Sequence, residues 1–319
     1  MAKVPFIVQP HLTAIAIGYR QGNLIADMVA PRTPVFTKDF SWQKYELAEQ
    51  FTVPETRVGA KGQPNQVDWK STPVSDSVVD HALDAPVTNE SIEQFQRAQA
   101  AGLAPNAVDP LIKATRLVRG LVATRREQRV ATLMTTLGNY ASTNRTTLSG
   151  TSQWSDYTNS DPHYAMMMAM DGMIIRPNTL VLGRAVFTVL SLHPKIKSAI
   201  YGSVNGNQKA VTREALAALL ELDNVHVGEG WLNTAAKGQT PNITRIWGKD
   251  AALVSINADA DTESGLTFAQ TAEFGSPVAG TIEDSDIGMR GGVRVRSGES
   301  VKEFVSANDL GYLFKAAAA

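Results

Sequence analysis

The chain contains no cysteine among its 319 residues, which removes disulfides, thiolate metal centres and cysteine nucleophiles together and fits a reducing cytoplasm. Histidine is scarce as well. His11, His81, His163, His193 and His226 are scattered with no pair at metal-ligand spacing and no H-E-x-x-H motif, so no zinc site is expected. The phosphate loop G-x-x-x-x-G-K-S/T and the nucleophile elbow G-x-S-x-G are both missing. Gly228-Glu229-Gly230 lacks the third glycine of a dinucleotide fingerprint and reads as a turn. Long apolar runs are missing too. The richest stretches, around Met166 to Ile175 and Leu180 to Leu192, are broken by Asp171, Arg176, Gly183 and Arg184, well short of the roughly 20 residues that cross a bilayer. Met1-Ala2-Lys3-Val4-Pro5 does not open a secretory signal. No charge of one sign prevails either: 30 basic and 31 acidic residues leave a net charge of −1, so no global field draws nucleic acid or acidic lipid. No residue is assigned a catalytic, cofactor-binding or metal-binding role.

What is present is a core and a beam. Hydrophobic residues make up 43% of the chain, enough for one large or two modest domains. A long helix is predicted from Leu111 to about Leu137, opened by Asp109-Pro110 as N-cap and first helical residue and closed by Gly138-Asn139. Leu111, Ala114, Val118, Val122, Val130, Leu133 and Leu137 form its apolar stripe. Lys113, Arg116, Arg119, Arg125, Glu127, Gln128 and Arg129 are placed on the opposite, solvated face. Such a helix is about 40 Å long.

Residues 1 to 38, with Pro5, Pro10, Pro31 and Pro34, read as an extended arm with a helical patch near Asn23 to Met28. Two long strands, Phe36 to Tyr45 and Ser75 to Leu83, flank a projecting tip from Thr52 to Pro73; such a ribbon leans on a neighbouring subunit. A short helix covers Glu90 to Ala100. Ser142 to Thr158 reads as a loop, and Asp161-Pro162 repeats the helix-start signal. A compact α/β unit follows: strand Thr179–Leu182, helix Arg184–Leu192, a break at Pro194, a helix capped by Thr212, and strands at 225–227, 243–247 and 251–256. Strands return at 268–274 and at 292–296, where Val293 and Val295 alternate with Arg294 and Arg296. An Ala-rich tail ends the chain.

Three weak patterns carry little. Asn257-Ala-Asp259-Ala-Asp261 starts like a calcium loop, but Thr262 stands where glycine is required and Phe268 where the bidentate acid belongs. Glu283, Asp284 and Asp286 read as exposed turn residues rather than an acid–base pair. Met166, Met170 and Met173, with Met167 and Met168 beside them, fall at core spacing.

The order of parts resembles the major capsid proteins of tailed bacteriophages, end to end. The resemblance is carried by the arm, the long β-loop, the capped helix with Arg125-Arg-Glu-Gln-Arg-Val130, the segment Asn178-Thr-Leu-Val-Leu182, and Val78-Val-Asp-His-Ala-Leu-Asp-Ala-Pro-Val87 leaving the loop. It implies an α+β, Hong Kong 97-like capsid fold with an N-terminal arm (1–38) and an extended β-hairpin loop (39–84). A peripheral domain with the spine helix (85–150 and 265–300) and an α/β axial domain (151–264 and 301–319) complete it. It further implies hexamers and pentamers in an icosahedral shell around double-stranded DNA, held by weak non-specific contact and assembled in the host cytoplasm. Portal, decoration and separate scaffolding proteins are the implied partners, the last because the chain begins with the arm. Lys61, Lys70 and Asn308 are the nearest candidates for inter-subunit isopeptide bonds, but no acid can be matched as catalyst and none are expected. An encapsulin-type compartment shell and an α/β metabolic enzyme stand as alternatives.

Overall fold

A computed structural model describes residues 6–13, 24–45, 53–59, 62–66, 71–103, 108–205, 209–236, 238–261 and 265–319. The N-terminal region supplies β1 (Ile7–Val8), the single-turn helix α1 (Ala26–Val29) and β2 (Arg32–Val35). Strands β3 (Asp39–Tyr45) and β4 (Ser71–Ser77) form an antiparallel ribbon, and β5 (Val79–Thr88) leads into α2 (Asn89–Ala100) and the spine helix α3 (Pro110–Thr135). Next come β6 (Arg145–Thr147), α4 (Pro162–Asp171), β7 (Thr179–Gly183), α5 (Arg184–Leu192), α6 (Pro194–Asn205), α7 (Arg213–Leu220) and β8 (Asn224–Gly228). The chain finishes with β9 (Trp231–Asn233), β10 (Ile243–Arg245), β11 (Ala251–Val254), β12 (Ala269–Phe274), β13 (Val278–Asp284), β14 (Gly292–Val305) and β15 (Gly311–Lys315).

The helix starts follow from their caps. Asp109 accepts a hydrogen bond from Leu111 N at 2.8 Å, with Pro110 in the first turn where no intrahelical N–H partner is needed. Asp161 and Thr212 act likewise, accepting from Tyr164 N and Ala215 N. The end of α3 differs from the glycine cap read in the sequence: Thr136 is extended, and Gly138 lies inside a short 3-10 turn. The orphan carbonyls of the last turn are instead met by side chains. Asn139 Nδ2 donates to Leu133 O at 2.7 Å, the Tyr140 hydroxyl to Met134 O at 2.6 Å, and Lys315 Nζ to Thr135 O at 3.0 Å.

Two sheets flank the spine. In the first, β14 pairs with β5 over Gly292–Val301, with β13 over Gly292–Gly298 and with β12 over Val301–Val305; β1 joins β13 and β2 joins β12. In the second, the order is β6-β15-β11-β7-β8. Every residue of β7 is buried. Leu180 and Leu182 face a core built with Met166, Met170, Leu190 and Leu216, whereas Val181 faces Val130, Ala131 and Met134 of the spine. A sheet covered on both faces is why this strand reads as an unbroken apolar run. Of the methionine stripe, Met166 and Met170 lie in the first of these cores with Met167 packed against it, Met173 is buried apart from it, and Met168 is exposed.

Several expectations are corrected. The stretch 142–158 is not a plain loop: β6 pairs in parallel with β15, and Gly150–Ser152 forms a 3-10 turn. β13 falls where no strand was read. The Ala-rich tail is core, with Ala317 and Ala318 buried and Ala317 O accepting from Trp154 N at 2.8 Å. Described parts of the arm pack within their own chain, as β1 and β2 extend this chain's own sheet. The ribbon's root also packs in its own chain, through Phe40 and Trp42 against Phe304, with ring centroids 5.5 and 4.3 Å apart. Only further out, at 53–59 and 62–66, is every described residue exposed.

Candidate functional site

The most chemically dense region is the junction where the arm meets the spine. Glu127 and Arg119, placed on the solvated face of the helix by periodicity, are buried, as is Arg126. Glu127 accepts from Ile25 N at 3.0 Å, Ala26 N at 2.7 Å and Trp247 Nε1. Helix α1 has no side-chain cap of its own, so the spine carboxylate receives its first amides. The same carboxylate holds the indole of Trp247. That ring lies under Gly228, where a Cβ would sit 2.0 Å from a ring carbon. One side chain thus ties the arm, the spine and the α/β unit together. Burial pushes the Glu127 carboxyl above its usual range, and the donors only partly offset this.

Beside it runs an ion-pair network. Arg32 of β2 reaches Asp27 at 2.8 Å, Glu273 at 2.6 Å and Glu299 at 3.0 Å. Arg119 meets Glu299 at 2.9 Å, Arg126 pairs with Asp27, and Arg129 holds Glu303 through Nε at 3.0 Å and Nη2 at 2.8 Å. Arg126 also donates to Thr271 Oγ1 at 3.0 Å and to Ala30 O at 3.3 Å. Burial raises Asp27 and Glu299, but the facing arginines outweigh it and hold both carboxyls below their usual values. For Glu299, buried against Arg119, losing its cationic partners costs about 3–5 kcal/mol, because the charge left behind stays buried; Asp27 is exposed to solvent and its pairs contribute less.

The remaining sequence candidates do not gather. Among the described residues no three His, Cys, Asp or Glu side chains are placed to hold a metal ion. Asn257 Oδ1 accepts from Asp259 N at 3.0 Å as a local turn, and Phe268 is buried against Tyr140; Thr262 lies outside the described residues. Asp284 pairs with Arg294 at 2.8 Å and accepts from Asp286 N at 2.9 Å, closing the β13–β14 turn. His193 is buried, its Nε2 3.2 Å from Ser160 Oγ, and burial holds its pKa down. Lys61 and Lys70 lie outside the described residues, as does Asn23; Asn308 opens a 3-10 turn. No described helix is long and apolar enough to cross a membrane.

Large apolar side chains stay uncovered around this scaffold, including Phe36, Leu103, Leu117, Leu121, Trp231, Ile243 and Met289.

No protein-family model matches the sequence. The chain is 46% identical over 319 residues, the full length of both proteins, to the major capsid protein of Pseudomonas phage JBD67. A phage-related protein from Bordetella bronchiseptica RB50 superposes with a TM-score of 0.74 at 22% identity, covering 98% of each chain. The capsid structure of cyanophage P-SCSP1u superposes with a TM-score of 0.55 at 11% identity, over 95% of this chain and 90% of that one.

Proposed function

Because the chain belongs to the major capsid proteins of phages, we propose that its copies form hexamers and pentamers of an icosahedral shell enclosing double-stranded DNA. The subunit is structural and builds the capsid shell; the observation that carries this is the 46% identity along the entire length. The Hong Kong 97-like reading is supported by the arm, the exposed loop and the long spine found together. On it, 1–38 is the arm, 39–84 the loop, 85–150 with 265–300 the periphery and 151–264 with 301–319 the axial unit; β6 and β14 pass between the last two.

DNA contact is weak and non-specific. Three spine arginines, Arg119, Arg126 and Arg129, are engaged by carboxylates, which leaves Lys113, Arg116 and Arg125 exposed. Scaffolding comes from a separate protein, portal and decoration proteins complete the particle, and assembly takes place in the host cytoplasm. Negative-stain microscopy of the protein expressed alone, and then with its neighbouring phage genes, tests this reading. Closed shells only with the neighbours support a separate scaffold; correct shells from this chain alone contradict it.

A further inference from the structure

The α/β unit carries two uncovered apolar faces of unlike charge. The first is on the β9–β10 ribbon, where Arg245 lies opposite Trp231 and Ile243 opposite Asn233, so all four share one face. Trp231 is 52% and Ile243 62% exposed, and the Arg245 guanidinium lies 4.2 Å from the Trp231 ring centroid. A ribbon of three residues per strand has no core of its own. The second face is on α4. Met166 and Met170 point into the core, while Tyr164, Met168 and Asp171, at i, i+4 and i+7, line the outside, with Tyr164 64% and Met168 53% exposed. At its end Arg176 bridges Asp171 at 3.7 Å and Glu221 at 3.1 Å, two carboxylates on one guanidinium.

We propose that the Trp231–Ile243 face of the ribbon docks head to tail onto the Tyr164–Met168–Asp171 face of α4 in a second copy of this chain. This rests on the shell-subunit reading and adds which surfaces meet. The first face is cationic and the second carries an excess acid, so neither complements itself. A two-fold contact would set Arg245 against Arg245, whereas a rotational ring joins each face to the other kind and leaves none uncovered. Methionine against an indole is a favourable pairing, and Arg245 moves from its own Trp231 toward the Asp171–Glu221 carboxylates.

The chain's lack of cysteine makes the test clean. Ile243→Cys and Met168→Cys are introduced together and singly, shells are oxidised mildly, and subunits are separated on non-reducing denaturing gels. The double variant is expected to give a ladder up to five or six subunits, and each single variant a lone subunit band. A dimer from either single variant, or no ladder from particles that microscopy shows to be closed, overturns the proposal. Should the double variant fail to assemble, Arg245→Glu and Asp171→Lys are compared: each alone should cut shell yield at least tenfold and the pair restore it, and no restoration overturns the proposal. Failure of the shell reading shows separately, as absence of shells from the unaltered chain co-expressed with its neighbours.

Discussion

Replacing Glu127 should loosen the arm before it unfolds the subunit. The carboxylate serves three donors: its Oε1 takes Ile25 N and the Trp247 indole, and its Oε2 takes Ile25 N and Ala26 N. In Glu127→Gln one oxygen becomes an NH2 facing either Ala26 N or the indole, which orphans one buried donor at a cost of about 1–3 kcal/mol. Glu127→Ala orphans all three, and at about 1–3 kcal/mol for each buried donor left unpaired a loss of about 3 kcal/mol or more is expected. The stabilisation is concentrated on α1, so local opening should fall first. Hydrogen exchange of the Ile25 and Ala26 amides in the free subunit is the assay. A loss of about 2 kcal/mol speeds exchange roughly 30-fold, with smaller effects in the helices around Met166 and Leu216. Unchanged exchange at those two amides in Glu127→Ala would contradict a Glu127 clamp on α1.

The lowered carboxyls of Asp27 and Glu299 contribute stability that is present above the ordinary carboxylate range near pH ~4 and is lost as pH falls through their folded values. The urea midpoint should therefore drop on acidification. Glu127, with its raised value, works in the opposite sense, gaining stability as pH falls, so the acid drop should be steeper in Glu127→Gln; a shallower drop contradicts this. Arg126→Ala removes the buried donor to Ala30 O and Thr271 Oγ1, while Asp27 keeps Arg32 and Glu303 keeps Arg129, and should lower stability by about 1–3 kcal/mol, read by denaturant unfolding. Asp109→Ala removes the spine's N-cap and should cost about 1 kcal/mol. Gly228→Ala drives a Cβ into the Trp247 ring and should cost about 1–3 kcal/mol, while also raising exchange at Ile25 through the displaced indole.

The parts of the fold that local chemistry dictates were legible in the sequence. Asp109-Pro110, Asp161-Pro162 and Thr212 mark helix starts that the structure places at Pro110, Pro162 and Arg213. The apolar run at Thr179–Leu182 marks the buried centre of a sheet. The arm–spine junction was not legible, because periodicity assigns Arg119 and Glu127 to water on the strength of their charge alone. What buries them is the arrival of Glu299, Ile25, Ala26 and Trp247 from more than 100 residues away. β6 was missed for a related reason. Arg145-Thr-Thr147 has too little apolar character to announce a strand, and it becomes one by pairing with β15 at an edge. Composition gave the Ala-rich tail no place in the fold, and the structure puts Ala317 and Ala318 in the core with Trp154.

On the proposed function, surfaces left bare in one chain are covered by others in a closed shell. A side-chain-resolution electron-microscopy reconstruction of purified particles tests it directly. Five- and six-fold rings are expected, with Trp231 and Ile243 buried against a neighbouring copy and the 53–59 segment lying on another subunit. Particles in which these residues face solvent, or purification only as small open oligomers even with the neighbouring gene products present, would contradict it.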